Sequence, residues 1–129
     1  MTPEEYRIIK HFWTQIRAIQ ERRDSSVTKN RYLIGAAMAH RRIHQREIDL
    51  ETLASLTGLG RSSLHKTLKS MVVDNLIRLE KDPADRRRTL VRPTPQYTSL
   101  SLDMYEETRD LIKQTSRRLI KGAEENDHK

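Results

Sequence analysis

The chain has no cysteine, which excludes a disulfide framework, a thiolate metal site and a cysteine redox switch together. Its four glycines do not gather into a phosphate-cradling loop, and neither a nucleophile elbow nor a clustered carboxylate pair is present. An enzyme is therefore the weakest reading, and no cofactor is expected. No apolar run approaches the length of a membrane span or a signal peptide, so the expected protein is soluble and intracellular, placed in the cytoplasm and away from membranes. Aromatic residues make up 5% of the 129 positions, which is little for lining a large cavity.

Charge is plentiful: 33% of residues are charged against 35% hydrophobic, with a formal net charge of +7. A sequence pI near 10.0 favours a polyanionic partner. The distribution says more than the total. Between Arg61 and Arg92 there are nine Lys or Arg against four Asp or Glu, whereas from Pro93 to Lys129 the count is six against seven. The length suits one domain with a modest core. So polar a chain with strong helical periodicity is expected to cover part of its apolar surface with another subunit.

The periodicity predicts five helices and one hairpin. The first helix spans about 3–23, with Thr2 as N-cap, Pro3 at the first helical position and Glu4 and Glu5 on the positive end of the dipole. Tyr6, Ile9, Trp13 and Ile16 form one apolar stripe, widened by Phe12 and Ile19. A second helix covers about 28–44, and its Gly35, Ala36, Ala37 and Ala39 let a neighbouring helix approach closely. Asp49 can cap a short helix with Leu50, Leu53, Ala54 and Leu56 pointing inward. Gly58-Leu59-Gly60 makes a turn, and helix resumes from Arg61 to about Asp74 with Leu64, Leu68, Met71 and Val72 buried. Asn75 suits a left-handed C-terminal position. Strands follow at 76–80 and 88–92, joined by the turn-forming 82–87. The last helix covers about 95–121, with Leu100, Met104, Leu111, Ile112 and Leu119 apolar, and the end of the chain is read as a frayed tail.

Helix, tight turn, helix, strand, charged turn, strand is the order of a winged helix-turn-helix. The fold class is accordingly mainly α, with a short β-hairpin wing and long N- and C-terminal helices. A second helix with small polar and basic side chains, beside an arginine-tipped ribbon, suits neighbouring grooves of duplex DNA. On that helix His65 and Lys66 are the base-edge candidates, since an ammonium suits guanine O6 and N7; Arg61, Ser62, Ser63 and Lys69 are expected on phosphates. In the wing, Asp85 is expected to fix an arginine and Arg87 to enter the minor groove, where a narrow A·T tract concentrates negative potential. Arg86 and Arg88 are candidates for backbone contact, and Arg41, Arg42 and Arg46 add to the field.

The segment Asp82-Pro83-Ala84-Asp85-Arg86-Arg87 resembles the wing of the multiple-antibiotic-resistance regulator (MarR) family, whose Asp-x-Arg pattern is carried by Asp85 and Arg87. Leu53-Ala54, Gly58-Leu59, Ser62, Leu64, Leu68, Met71, Leu76-Ile77-Arg78 and Thr94-Pro95 fit the same pattern, and together they cover about a third of the chain. Departures are Gly60 where the family has Ser, Asn75 and Tyr97 where it has Gly, Pro93 where it has Leu, and a single long C-terminal helix where many relatives add another. The resemblance implies a homodimeric transcription factor, usually a repressor, whose terminal helices dimerise and whose paired winged helices bind a palindromic site. Tyr6, Ile9, Trp13 and Ile16 of the first helix and Met104, Leu111, Ile112 and Leu119 of the last are the expected interface. The chain thus divides into an N-terminal dimerisation helix, 1–27, a DNA-binding lobe, 28–94, a C-terminal dimerisation helix, 95–122, and a tail, 123–129.

Two further constellations are read as structural. His40 and His44 lie four apart on one helix, but Arg41 and Arg42 beside them oppose a cation and no HExxH motif or carboxylate-rich cluster accompanies them, so no metal site is expected. Tyr6, Phe12, Trp13, Tyr32, Tyr97 and Tyr105 could line a cavity for a small-molecule effector, as the resemblance suggests, although such residues are more often core or subunit interface. The alternative from another class is a winged-helix protein-interaction module without specific DNA binding.

Overall fold

In the computed structural model the described residues are 1–44 and 46–127, the side chains of 126 and 127 excepted. The elements are α1 (Pro3–Arg23), α2 (Lys29–Ile43), α3 (Leu50–Thr57), α4 (Arg61–Val73), β1 (Ile77–Lys81), β2 (Thr89–Pro93) and α5 (Pro95–Asp127). They group into two units, one of Met1–Ser26 with the chain from Ser99 onward, the other Val27–Thr98.

The helix starts follow from their caps. Thr2 Oγ1 accepts from the Glu5 amide at 3.1 Å while Glu5 Oε1 accepts from the Thr2 amide at 2.8 Å, a reciprocal capping box ahead of Pro3. Thr28 caps α2 through the Arg31 amide at 3.2 Å, and Asp49 caps α3 through the Thr52 amide at 2.7 Å. Caps of this kind contribute about 0.5–2 kcal/mol each. Gly58 ends α3 at φ 71°, a left-handed conformation costly for any residue with a Cβ. Asn75 takes the same conformation after α4, at φ 59°, with Leu76 N donating to Met71 O and Asn75 N to Val72 O, both at 3.0 Å. These two bonds are a Schellman motif.

That motif explains where the hairpin begins. Leu76, expected to open the first strand, spends its amide closing α4, so β1 starts at Ile77. Arg88 likewise donates its amide to Asp85 O at 2.9 Å and stays in the turn, so β2 starts at Thr89. Both strands therefore sit one residue later than their sequence pattern suggests. They pair antiparallel with Ile77 opposite Pro93 and Lys81 opposite Thr89. The segment before α3 adds a third edge: Asp49 bridges Leu90, and the Val91 amide donates to Ile48 O at 2.9 Å.

Ile34, Leu53, Leu68, Met71 and Ile77 form the heart of the winged-helix core, with Val91 and Tyr97 completing it. Two expected core residues are exposed. Leu56 lies about 110° of helix rotation from the centre of the face made by Leu50, Leu53, Ala54 and Thr57, and Val72 sits at the edge of the Leu64–Leu68–Met71 stripe. In the other unit the buried side chains include Ile8 and Ile19 of α1 and Leu111 and Thr115 of α5, and an ion pair joins Arg22 to Glu107. The helix does not fray at Gly122 but continues to Asp127, because one glycine costs only about 1 kcal/mol and strong helix formers, Ala123, Glu124 and Glu125, follow it. Of the expected tail, 128 and 129 lie outside the described residues.

Candidate nucleic-acid interface

Two neighbouring features of the winged-helix unit carry the candidate residues. On α4, Leu64, Leu68 and Met71 turn inward, which leaves Arg61, Ser62, Ser63, His65, Lys66 and Lys69 exposed on the remaining faces. Gly60 at the N-cap makes no side-chain hydrogen bond to the first-turn amides. The start of α4 therefore combines a positive dipole end with Arg61 and two serine hydroxyls.

One buried cation ties α4 to α2. The Arg31 guanidinium, 7% exposed, donates to Asp74 Oδ2 at 2.7 Å and Ser70 Oγ at 3.1 Å, both near the end of α4. This anchor was missed in the sequence. Its signal was a basic residue in helical phase with the buried Ile34 and Met38, at spacings of three and seven.

The wing turn places its three arginines in different surroundings. Asp85 Oδ1 accepts from the Arg87 amide at 3.1 Å and from Arg87 Nε at 3.3 Å, while the Arg87 side chain stays 94% exposed. Arg86 is exposed too. Arg88 differs from the expected backbone-contacting placement. Its Nε donates to Asp49 Oδ2 at 2.6 Å and its Nη1 to Asp82 Oδ2 at 3.2 Å, and the side chain is only 36% exposed. The guanidinium points into the base of the wing because two carboxylates already compensate it there. At the same base Arg92 bonds Glu47 Oε1 at 2.6 Å and Glu80 Oε2 at 2.9 Å, and Arg41 donates to the Glu47 carbonyl at 2.9 Å.

Ionisation follows these contacts. Burial opposes charge on Asp49, but the Thr52 amide and the Arg88 guanidinium outweigh it and hold the carboxyl below the usual aspartate range. For Asp82 the Ala84 amide is the main cause of the same downward shift, with Arg88 assisting. Hydrogen bonding to Asp49 in turn raises Arg88 above its ordinary value, and Glu47 does the same for Arg92.

Tyr97 is buried in the winged-helix core, whereas Tyr6, Trp13, Tyr32 and Tyr105 are exposed and Phe12 lies edge-on to Trp13 at 6.1 Å. A cleft of about 470 Å³ between the start of α1 and the end of α5 has Ile8 and Leu119 beside Glu4, Glu5, Arg118 and Lys121, and none of the described residues in its wall is aromatic. The His40 and His44 rings meet edge-on at 4.7 Å, and among the described residues no group of three metal-ligating side chains converges. Of the expected dimer contacts, Tyr6, Trp13 and Ile112 are exposed and Ile9, Ile16, Met104 and Leu119 half-buried. Leu111, at 8% exposure, is already covered within the single chain. Among the described residues no helix is long and apolar enough to cross a membrane.

With this geometry the chain superposes on several solved structures. A DNA complex of MepR from S. aureus matches with a TM-score of 0.67 at 17% identity, over 95% of this chain and 96% of that one. BpsR of Bordetella bronchiseptica, whose DNA binding is regulated by 6-hydroxynicotinic acid, matches with a TM-score of 0.53 at 21% identity, over 84% and 81%. A MarR-like transcription regulator from Bacillus cereus matches with a TM-score of 0.54 at 17% identity, over 94% and 88%. No family model matches the sequence, and neither does any curated protein. The fold is thus the winged helix that these structures share.

Proposed function

We propose that this chain is a MarR-family transcriptional regulator, a homodimer that binds a palindromic duplex DNA site and represses by occluding a promoter. The observation that carries this reading is the pairing of α4, exposed along a polar and basic face, with a wing from which Arg86 and Arg87 project. The roles follow the chemistry of each side chain. His65 and Lys66 address base edges in the major groove, while Arg61, Ser62, Ser63 and Lys69 engage phosphates and set register. Arg87, its orientation limited by Asp85, reads the width and potential of the minor groove, and Arg86 contacts the backbone. Arg88 leaves the contact set, since both of its carboxylate partners lie within the protein.

Trp13, Tyr6 and Ile112 supply apolar surface for a second copy along α1 and α5. The place of action is the cytoplasm, with the DNA. The chain works by binding and not by catalysis, with room in the scheme for a small-molecule effector of unassigned chemistry. Selection of bound sequences from random duplex DNA tests the reading. Recovery of a palindrome with half-sites one helical turn apart is the expected result. Recovery without sequence preference would contradict it and favour a protein-docking winged helix.

A further inference from the structure

We infer that Arg88 is a positioning residue, a clamp that joins the wing turn to the start of α3 and so fixes the direction in which Arg86 and Arg87 project. Three consecutive arginines would ordinarily repel one another and share solvent. Here the third is removed from that set. Its Nε reaches Asp49 and its Nη1 reaches Asp82, at 2.6 and 3.2 Å. Each carboxylate has its other oxygen committed to backbone: Asp49 Oδ1 accepts from the Thr52 amide at 2.7 Å, and Asp82 Oδ1 from the Ala84 amide at 2.9 Å. One guanidinium therefore connects the cap of the first helix of the helix-turn-helix to the turn that opens the wing.

The backbone of Arg88 serves the same end, with its amide donating to Asp85 O at 2.9 Å and its carbonyl accepting from the Asp82 amide at 3.0 Å. A planar, five-donor cation is suited to holding two carboxylates in fixed directions, which a lysine ammonium does less well. Arg88 stands outside the Asp85-x-Arg87 pattern in which the wing resembles that of the MarR family. Its consequence for DNA rests on the proposed DNA-binding reading, whereas its consequence for the wing does not.

The test compares the full-length wild type with Arg88→Met, Arg88→Lys, Asp82→Asn and Arg86→Ala. Amide exchange of the wing turn is measured without DNA, and affinity is measured on the selected duplex with A·T-rich or G·C-rich flanks over a range of salt. Arg88→Met keeps the aliphatic stem but should speed exchange at Ala84 and Arg87. It should also cost about tenfold in affinity on A·T-rich flanks while leaving the salt slope within about half a unit of wild type, because no phosphate contact is removed. Arg88→Lys should recover part of both effects. Asp82→Asn raises net positive charge, yet should lower the preference for A·T-rich flanks. Arg86→Ala should do the reverse of Arg88→Met, reducing the salt slope with exchange unchanged.

Unchanged exchange in both Arg88→Met and Asp82→Asn would overturn the clamp, whether or not the protein binds DNA. So would a salt slope that falls by about one unit per subunit in Arg88→Met with flank preference intact, since that is the signature of a phosphate contact. If the wild type binds no duplex, the DNA-binding reading fails and the exchange data alone decide the clamp.

Discussion

Arg31 and Asp74 form an asymmetric ion pair: at 2.7 Å, the guanidinium is 7% exposed and the carboxylate 46%. The asymmetry predicts which substitution hurts. Asp74→Ala removes an anion from a buried cation and should cost about 2 kcal/mol. Arg31→Met replaces the cation by an apolar side chain and leaves a carboxylate that water can reach, so the cost should be smaller, about 1 kcal/mol. Urea unfolding of the two variants checks the order, and a larger loss for Arg31→Met would contradict the account of the α2–α4 anchor.

Acid should loosen the wing before it unfolds the core. Asp49 and Asp82 titrate below the ordinary aspartate value in the folded chain, so their contribution to stability is complete above that value, near pH 4, and is lost as pH falls through the lower folded values. Wing-turn amide signals followed from pH 6 to pH 2 should broaden or shift while those of Ile34 and Leu68 persist. Asp49→Asn keeps a side-chain cap for α3 but loses the ionic partner of Arg88, and should flatten part of this acid response. A simultaneous loss of wing and core signals would contradict the assignment of the effect to these two carboxylates.

For the dimer, Trp13→Asp places a charge on a side chain 66% exposed and should raise the dissociation constant by at least tenfold, with the helical content kept. Leu111→Asp should act differently, because Leu111 is only 8% exposed in the single chain: it should lower thermal stability as well as association. Sedimentation with circular dichroism separates the two. A wild type that sediments as a monomer at micromolar concentration would contradict the homodimer.

Much of this fold was legible because its signals are local. Thr2, Thr28 and Asp49 mark helix starts, Gly58 and Asn75 mark left-handed turns, and Leu64, Leu68 and Met71 repeat at helical spacing. What escaped depends on residues distant in sequence. Asp49 reads as a cap and nothing more until the wing folds back 39 positions later and brings Arg88 against it. Arg31 meets Asp74 only after α2 and α4 pack, 43 positions apart. Leu56 and Val72 satisfy hydrophobic patterning yet lie off the face that the packed core selects. Among the three wing arginines, composition cannot distinguish the one that turns inward.

If α4 reads bases while the wing reads groove shape, binding of four variants to matched duplexes separates the two. Arg87→Ala should weaken binding to sites with A·T-rich flanks more than to sites with G·C-rich flanks. His65→Ala and Lys66→Ala should relax preference at particular half-site positions, at about 1–3 kcal/mol for each base contact. Lys69→Ala should lower affinity almost equally on all sequences and reduce the salt slope by about one unit per subunit. Wild-type affinity and sequence preference in all four variants would contradict the account.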